Sequence, residues 1–282
     1  MLWADPRDCT REPKDRPPND STATVPRIIA IVNQKGGVGK STTAVNLGAC
    51  LAGAGHRTLL VDLDPQANAT SGLGIPRDRE SGSVYDLLLG EATLAECAIS
   101  TAVPNLDIVP STINLAGAEV EMAGVAGRET LLRTALAGAS YAFVLLDSPP
   151  ALGLLTINAL TAASEALIPL QCEYYALEGL TQLLQSVELV RRHLNPSLEV
   201  SGVLLTMYDS RTNLSDQVAS EVRRFFGERV YNTVIPRSIR LAEAPSHGKP
   251  ITAYDPDSRG AKAYLDLAKE VIARGHQLSS AP

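Results

Sequence analysis

Apolar residues along this chain gather in short unbroken runs separated by longer segments of helical periodicity. The runs are IIAIVN (28–33), TLLVDLD (58–64), LDIVP (106–110), FVLLD (143–147), ALIPL (166–170) and VSGVLLTMY (200–208). Runs of this kind, without period-two alternation, indicate strands covered on both faces, as in a parallel sheet. Amphipathic segments of helix length lie between them at 41–54, 128–136, 152–163, 177–194 and 214–226, with a last one at 260–274. The alternation predicts an α/β fold, a twisted and mostly parallel sheet with helices on both faces and right-handed crossovers. The stretch 72–103 is less regular and is expected at the periphery. One domain is expected over 27–275. Residues 1–26 carry five prolines and mixed charges, too little apolar area to offset their ordering entropy, and are expected as a disordered tail. The segment 276–282 is expected to be a second such tail.

Composition narrows the picture. With 45% apolar but only 4% aromatic residues, the core must be built from Leu, Val, Ile and Ala. A formal net charge of −6 argues against a protein that coats nucleic acid with its whole surface, and leaves room for a local basic patch. Cys9, Cys50, Cys97 and Cys172 are scattered without a CxxC pair, which speaks against disulfide, zinc or iron–sulfur frameworks. The N-terminus has no apolar signal region. The apolar stretch 151–172 is interrupted by Asn158, Glu165 and Pro169, so it reads as a buried helix and strand rather than a membrane span. A soluble, cytoplasmic protein is expected.

The strongest local signal is KGGVGKST (35–42), directly after the first strand and opening the first helix. It meets the GxxxxGK[ST] pattern loosely, because Gln34 stands where the first glycine belongs and Lys35 is additional. Gly36, Gly37 and Gly39 permit backbone conformations that let successive N–H groups converge on phosphate oxygens. The N-terminus of the following helix adds positive charge. In such a loop Lys40 bridges the β- and γ-phosphates and the Ser41 hydroxyl ligates Mg²⁺. This makes the fold a single P-loop NTPase domain. Asp147, ending the run FVLLD, is placed to hold the Mg²⁺ shell. Asp62 and Asp64 fall at the carboxyl edge of the second strand, where ligands of open α/β sheets bind, and Asp64 is placed to orient or deprotonate an attacking water. No NKxD stretch for guanine is present, which favours ATP over GTP.

With these residues in hand, the sequence resembles the ParA/Soj family of chromosome and plasmid partition ATPases, in the deviant-Walker-A class that includes MinD. The matching text includes NQKGGVGKSTTAVNL (33–47), LLVDLDPQANATSGLG (59–74), LLDSPPALGLLTINAL (145–160), PLQCEYYALEGL (169–180) and VIPRSIRLAEAPSHGKPI (234–251). The resemblance implies that Lys35 reaches the phosphates of ATP in the other subunit of a sandwich homodimer. It implies nucleotide contacts from Gly36, Gly37, Val38, Gly39, Lys40, Ser41 and Thr42, a hydrolytic role for Asp64, and a switch role for Asp147 at the metal. Pro236 and Ser238 fall in the family's adenine-side loop; members often carry Asn at 238, so a backbone contact is expected there. Ala67 replaces a frequent glycine, which makes its turn stiffer.

Between Arg211 and Lys249 there are seven Lys/Arg against four Asp/Glu, which from composition alone reads as an ordinary solvated surface. By the resemblance, Arg211 and Arg240 are the arginines of sequence-independent binding to double-stranded DNA. The implied cycle has an ATP dimer on the nucleoid, released when a ParB/Spo0J-like partner stimulates slow hydrolysis. The alternative is a MinD-like membrane switch. Segment 260–274 is amphipathic, but Asp266 and Glu270 suit it poorly to an interfacial anchor; core packing by Tyr264, Leu265, Leu267, Ala268, Val271 and Ile272 is expected, and no membrane partner. A ligase or kinase on the same fold is a further alternative.

Overall fold

The computed structural model describes residues 25–78, 82–173 and 176–278. The expected tail over 1–26 therefore lies outside the described residues except for Val25 and Pro26. Eight strands form one sheet: β1 (Arg27–Ile31), β2 (Thr58–Asp62), β3 (Ile99–Ser100), β4 (Leu106–Val109), β5 (Phe143–Asp147), β6 (Glu165–Gln171), β7 (Glu199–Tyr208) and β8 (Val230–Pro236). Their order is β3-β4-β2-β5-β1-β6-β7-β8. All neighbours are parallel except β3, which runs antiparallel to β4 at the edge.

Unbroken apolar runs arise because both faces of the central strands are covered. Ala30, Val61, Leu146, Ile168 and Leu205 point into one core. Ile29, Ile31, Leu60, Leu145 and Leu204 point into the other. The second core is roofed by α1 (Lys40–Gly53) and by the last helix, α12 (Arg259–Leu278). Between them run α2 (Asn68–Gly72), α3 (Val84–Leu89), α4 (Leu94–Cys97), α5 (Leu115–Met122), α6 (Leu131–Ala135), α7 (Leu154–Ala162), α8 (Ala176–His193), α9 (Asn213–Phe226), α10 (Ile239–Glu243) and α11 (Ile251–Tyr254).

Tyr264, Leu267, Ala268 and Val271 of α12 are buried and Ile272 is partly buried, whereas Leu265 is 42% exposed and does not join the core. The helix also runs through Leu278, past the expected end at 274. Among the described residues no helix is long and apolar enough to cross a membrane. Cys50, Cys97 and Cys172 are buried free thiols.

Candidate functional site

Three neighbouring strands, β2, β5 and β1, bring the chemistry to one edge. Asp147 ends β5 level with Asp62 on β2 and Ile31 on β1. The loop after β1 folds over that edge and turns into α1 at Lys40. Gly37 and Gly39 adopt left-handed φ of 76° and 90°, a region that penalises residues with a Cβ. A Cβ at Gly36 or Gly37 meets nothing within 4 Å, so these glycines leave a hollow open rather than relieve a clash.

The loop is held from behind. Asn33 Nδ2 donates to the Pro169 carbonyl at 2.7 Å while its Oδ1 accepts from Lys35 N–H at 2.9 Å. The Thr206 hydroxyl donates to the Val38 carbonyl at 2.9 Å, and the Val38 side chain is buried. Lys40 is buried too, its ammonium donating to the Lys35 carbonyl at 3.0 Å inside the curl of the loop. Burial lowers its pKa, partly opposed by the charges of Asp147 and Asp64.

Asp147 is fully buried, and no hydrogen bond of full geometry reaches either carboxylate oxygen. Burial foremost, then the Asp62 charge, raises its pKa well above the ordinary range, against the pull of the nearby Ser41 hydroxyl and Lys40. A buried carboxylate without donors is costly unless a cation answers it. Ser41 and Asp147 together offer hard oxygen donors of the kind Mg²⁺ takes, one or two from protein and the rest from water and phosphate. The residues thus fit a Mg²⁺-bound polyphosphate.

Asp62 has another task. It accepts from Thr70 N–H at 2.8 Å, the Thr70 hydroxyl at 2.7 Å and Asp64 N–H at 3.1 Å. Burial still pushes its pKa up to about 6, with the Thr70 bonds pulling the other way. It tethers the 63–72 segment, leaving Asp64 at the rim, where its Oδ1 accepts from Gln66 N–H at 2.9 Å. Ala67 caps α2 at φ 51°, in the left-handed region.

A cleft of about 520 Å³ opens over the loop. Gly36, Gly37, Gly39, Lys40, Ser41, Thr42 and Asp64 line it, and the fully buried Asp147 lies close to Ser41 and Lys40 without itself lining the cleft. Pro236 and Ser238 do not: Pro236 ends β8 against Tyr208, and Ser238 stands at the N-cap position of α10 without a capping bond from its side chain. The cleft wall on that side comes from Met207, Pro245, Ser246 and Lys249. Met207 holds φ 51°, an uncommon conformation for a side-chain-bearing residue. Arg77, bonded to the Ser71 hydroxyl at 2.6 Å, also lines the cleft. Lys35 points away from the cleft and pairs with Glu173 beyond β6. Arg211 and Arg240 lie elsewhere, on the outer surface.

A family model described as an AAA domain matches residues 26–200. The sporulation initiation inhibitor protein Soj of Bacillus subtilis is 60% identical over 251 residues, covering 88% of this chain and 99% of that one. The chromosome partitioning protein ParA of Caulobacter vibrioides is 53% identical over 252 residues, covering 88% and 94%. The chain belongs to the ParA/Soj family of partition ATPases. Among solved structures, one named cobyrinic acid a,c-diamide synthase from Mycobacterium smegmatis, with bound ADP and magnesium, superposes with a TM-score of 0.79 at 38% identity, over 89% of this chain and 96% of that one. The Pyrococcus furiosus cell division ATPase MinD matches with a TM-score of 0.73 at 27% identity, over 88% and 99%.

For a ParA/Soj chain, the cleft residues that sequence patterns left unnamed are instructive. Gln66, Asn68, Ser71 and Arg77 come from the turn after β2, and Pro245, Ser246 and Lys249 from the turn after α10. Both segments were visible only as blocks of family text. What joins them is a backbone contact between Gly74 and Gly248, where a Cβ on Gly248 would sit 2.7 Å from the Gly74 Cα.

Proposed function

We propose that this chain is an ATP-dependent partition switch. Its 27–275 domain binds ATP and Mg²⁺ in the cleft, dimerises around the nucleotide, holds double-stranded DNA without regard to sequence, and lets go when a ParB/Spo0J-like partner stimulates hydrolysis. The observation that carries the nucleotide reading is the buried Asp147 carboxylate, without a well-formed hydrogen bond, close to the Lys40 and Ser41 that line a glycine hollow. Lys40 would offset the charge of the β- and γ-phosphates, Ser41 and Asp147 would hold the cation, and Asp64 would orient the attacking water. Mg²⁺ supplies charge neutralisation at the phosphates. Lys35, exposed and off the cleft, is free to turn to the triphosphate of a second copy, so dimerisation requires the γ-phosphate and ends with its loss.

Asp64→Ala tests this. It is expected to bind ATP and accumulate as a dimer, seen by size-exclusion chromatography with ATP and Mg²⁺, while turnover falls at least about 100-fold. Turnover at the wild-type rate would remove Asp64 from the mechanism. A metabolic ligase on the same fold is favoured by the name of the M. smegmatis neighbour. Such an enzyme couples ATP cleavage to a small-molecule acceptor, so ATP turnover by the purified chain without an acceptor decides against it.

A further inference from the structure

The carboxyl ends of β7 and β8 lie side by side, joined by a hydrogen bond from Arg237 N–H to the Tyr208 carbonyl at 2.9 Å. Three exposed arginines leave this corner: Arg211 after β7, Arg237 after β8 and Arg240 within α10. They differ in what holds them. Asp209 grips Arg211 with both oxygens, at 2.9 Å to Nε and 2.7 Å to Nη2. Arg240 spans Glu243 at 3.1 Å and Asp255 at 3.5 Å, and the same Glu243 oxygen accepts from the Tyr254 hydroxyl at 3.1 Å. Arg237 has no carboxylate within ion-pair distance among the described residues. It still belongs to the patch. The Asp209 carboxyl is held below its ordinary range by the Arg211 bonds foremost, and the Arg237 charge adds to that effect from farther off.

We propose that Arg237 is a third contact to the phosphate backbone of double-stranded DNA, and that it alone of the three engages without first giving up a carboxylate among the described residues. The inference rests on the reading that this surface binds DNA. Moving Arg211 from Asp209 to a phosphate exchanges one ion pair for another, and the difference is small. An unpaired arginine brings its whole attraction, including counterion release from the duplex. The carboxylates beside Arg211 and Arg240 act as built-in competitors that keep single-subunit binding weak, so that affinity depends on pairing two subunits.

The test is a salt titration of random-sequence duplex binding by protein loaded with a nonhydrolysable ATP analogue. Arg237→Ala is expected to bind roughly tenfold more weakly at moderate salt, with the slope of log K against log salt shallower by about one per subunit. That loss should exceed the loss in Arg211→Ala, and Arg237→Lys should recover the slope. Asp209→Asn should tighten binding a few-fold, while Glu91→Gln, the same change in net charge at an exposed site across the molecule, leaves it unchanged. Wild-type affinity and slope in Arg237→Ala would overturn the inference, as would loss of analogue binding in that variant. If Arg240→Glu abolishes duplex binding while Arg237→Ala does not weaken it, only this inference falls. If the wild-type protein binds no duplex at any salt, the DNA reading falls with it.

Discussion

The phosphate cradle and the arginine corner are both cationic, yet they are held in opposite ways. In the cradle, Lys40 is buried and bonded to a main-chain carbonyl, in a loop pinned by Asn33 and Thr206. At the corner, Arg211 and Arg240 are 84% and 58% exposed and rest on carboxylates of their own chain. Lys35 follows the second pattern, 54% exposed and paired with Glu173. Cations assigned to a ligand inside the subunit are preorganised by burial. Lys35, Arg211 and Arg240, assigned to another molecule, wait on internal anions that the partner must displace, and Arg237 is the exception among the described residues. A preorganised group does its work at no further cost in ordering, whereas a displaceable pair converts binding into a competition.

The sharpest way to break this contrast is to remove one member of each class. Lys40→Ala should cut ATP turnover by about 100- to 1,000-fold, as expected for loss of a charge aimed at the transferring phosphoryl group. Arg240→Glu should leave nucleotide binding and basal turnover unchanged while weakening duplex binding more than tenfold. Steady-state ATPase assays and duplex titrations on both proteins give the four numbers. Equal loss of turnover in both variants would show that the two regions are not separate.

Asp147→Asn sharpens the cradle side. A buried carboxylate without a well-formed hydrogen bond, its pKa raised foremost by burial, destabilises the nucleotide-free fold wherever the unfolded chain is ionised. The folded form then binds more protons than the unfolded one, so stability falls as pH rises from the unfolded pKa of about 4 through the raised folded value. The neutral variant should gain on the order of 1–3 kcal/mol at neutral pH without nucleotide, with a flatter profile of thermal midpoint against pH, and should lose Mg²⁺-dependent turnover. A lowered midpoint in the variant would mean that the carboxylate has an internal partner.

Glu173→Gln probes the waiting side at the proposed dimer face. With its resting anion gone, Lys35 should respond to lower nucleotide concentrations, shifting the midpoint of ATP-analogue-induced dimerisation down by up to about fivefold, the worth of one exposed ion pair. Analytical ultracentrifugation across an analogue titration reads the shift. An upward shift would place Glu173 in the dimer contact itself.

Much of this was legible before the structure, for reasons that differ by residue. The central strands announced themselves because both faces are buried, leaving unbroken apolar runs. The loop was legible because glycines, lysine and serine at fixed offsets follow one such run. The edge strand β3 is only two residues long, and β8, VYNTVIP, mixes Asn and Thr into its run because its middle residues are partly exposed; neither carries the burial that makes a strand visible. The tether role of Asp62 depends on Thr70 eight residues later, and the wall formed by Pro245, Ser246 and Lys249 depends on the Gly74–Gly248 contact. Contacts between distant segments have no local pattern. The carboxylate partners of Lys35, Arg211 and Arg240 were hidden for a related reason. Charge counts register how many anions are near in sequence, not which cation each one holds.

Ala67 gives the smallest effect and the most direct check that the cradle side is preorganised at a cost. It sits at φ 51°, ψ 40° at the start of α2, between the Asp64 carbonyl that accepts its N–H at 2.8 Å and the Ser71 N–H that its own carbonyl accepts at 3.0 Å. Its side chain is buried, so the conformation is imposed by the fold and not by a favourable side-chain contact with solvent. Alanine in this region is strained relative to glycine, while glycine gives the unfolded chain more freedom to lose. The first effect is the larger one, and Ala67→Gly should raise stability by about 0.5 kcal/mol, visible as a small rise in thermal midpoint. If the midpoint falls, the turn is not strained, and the Asp64 segment owes its position to the Thr70 tether alone. If it rises while turnover drops, the stiffness that alanine brings is part of how Asp64 is held at the cleft.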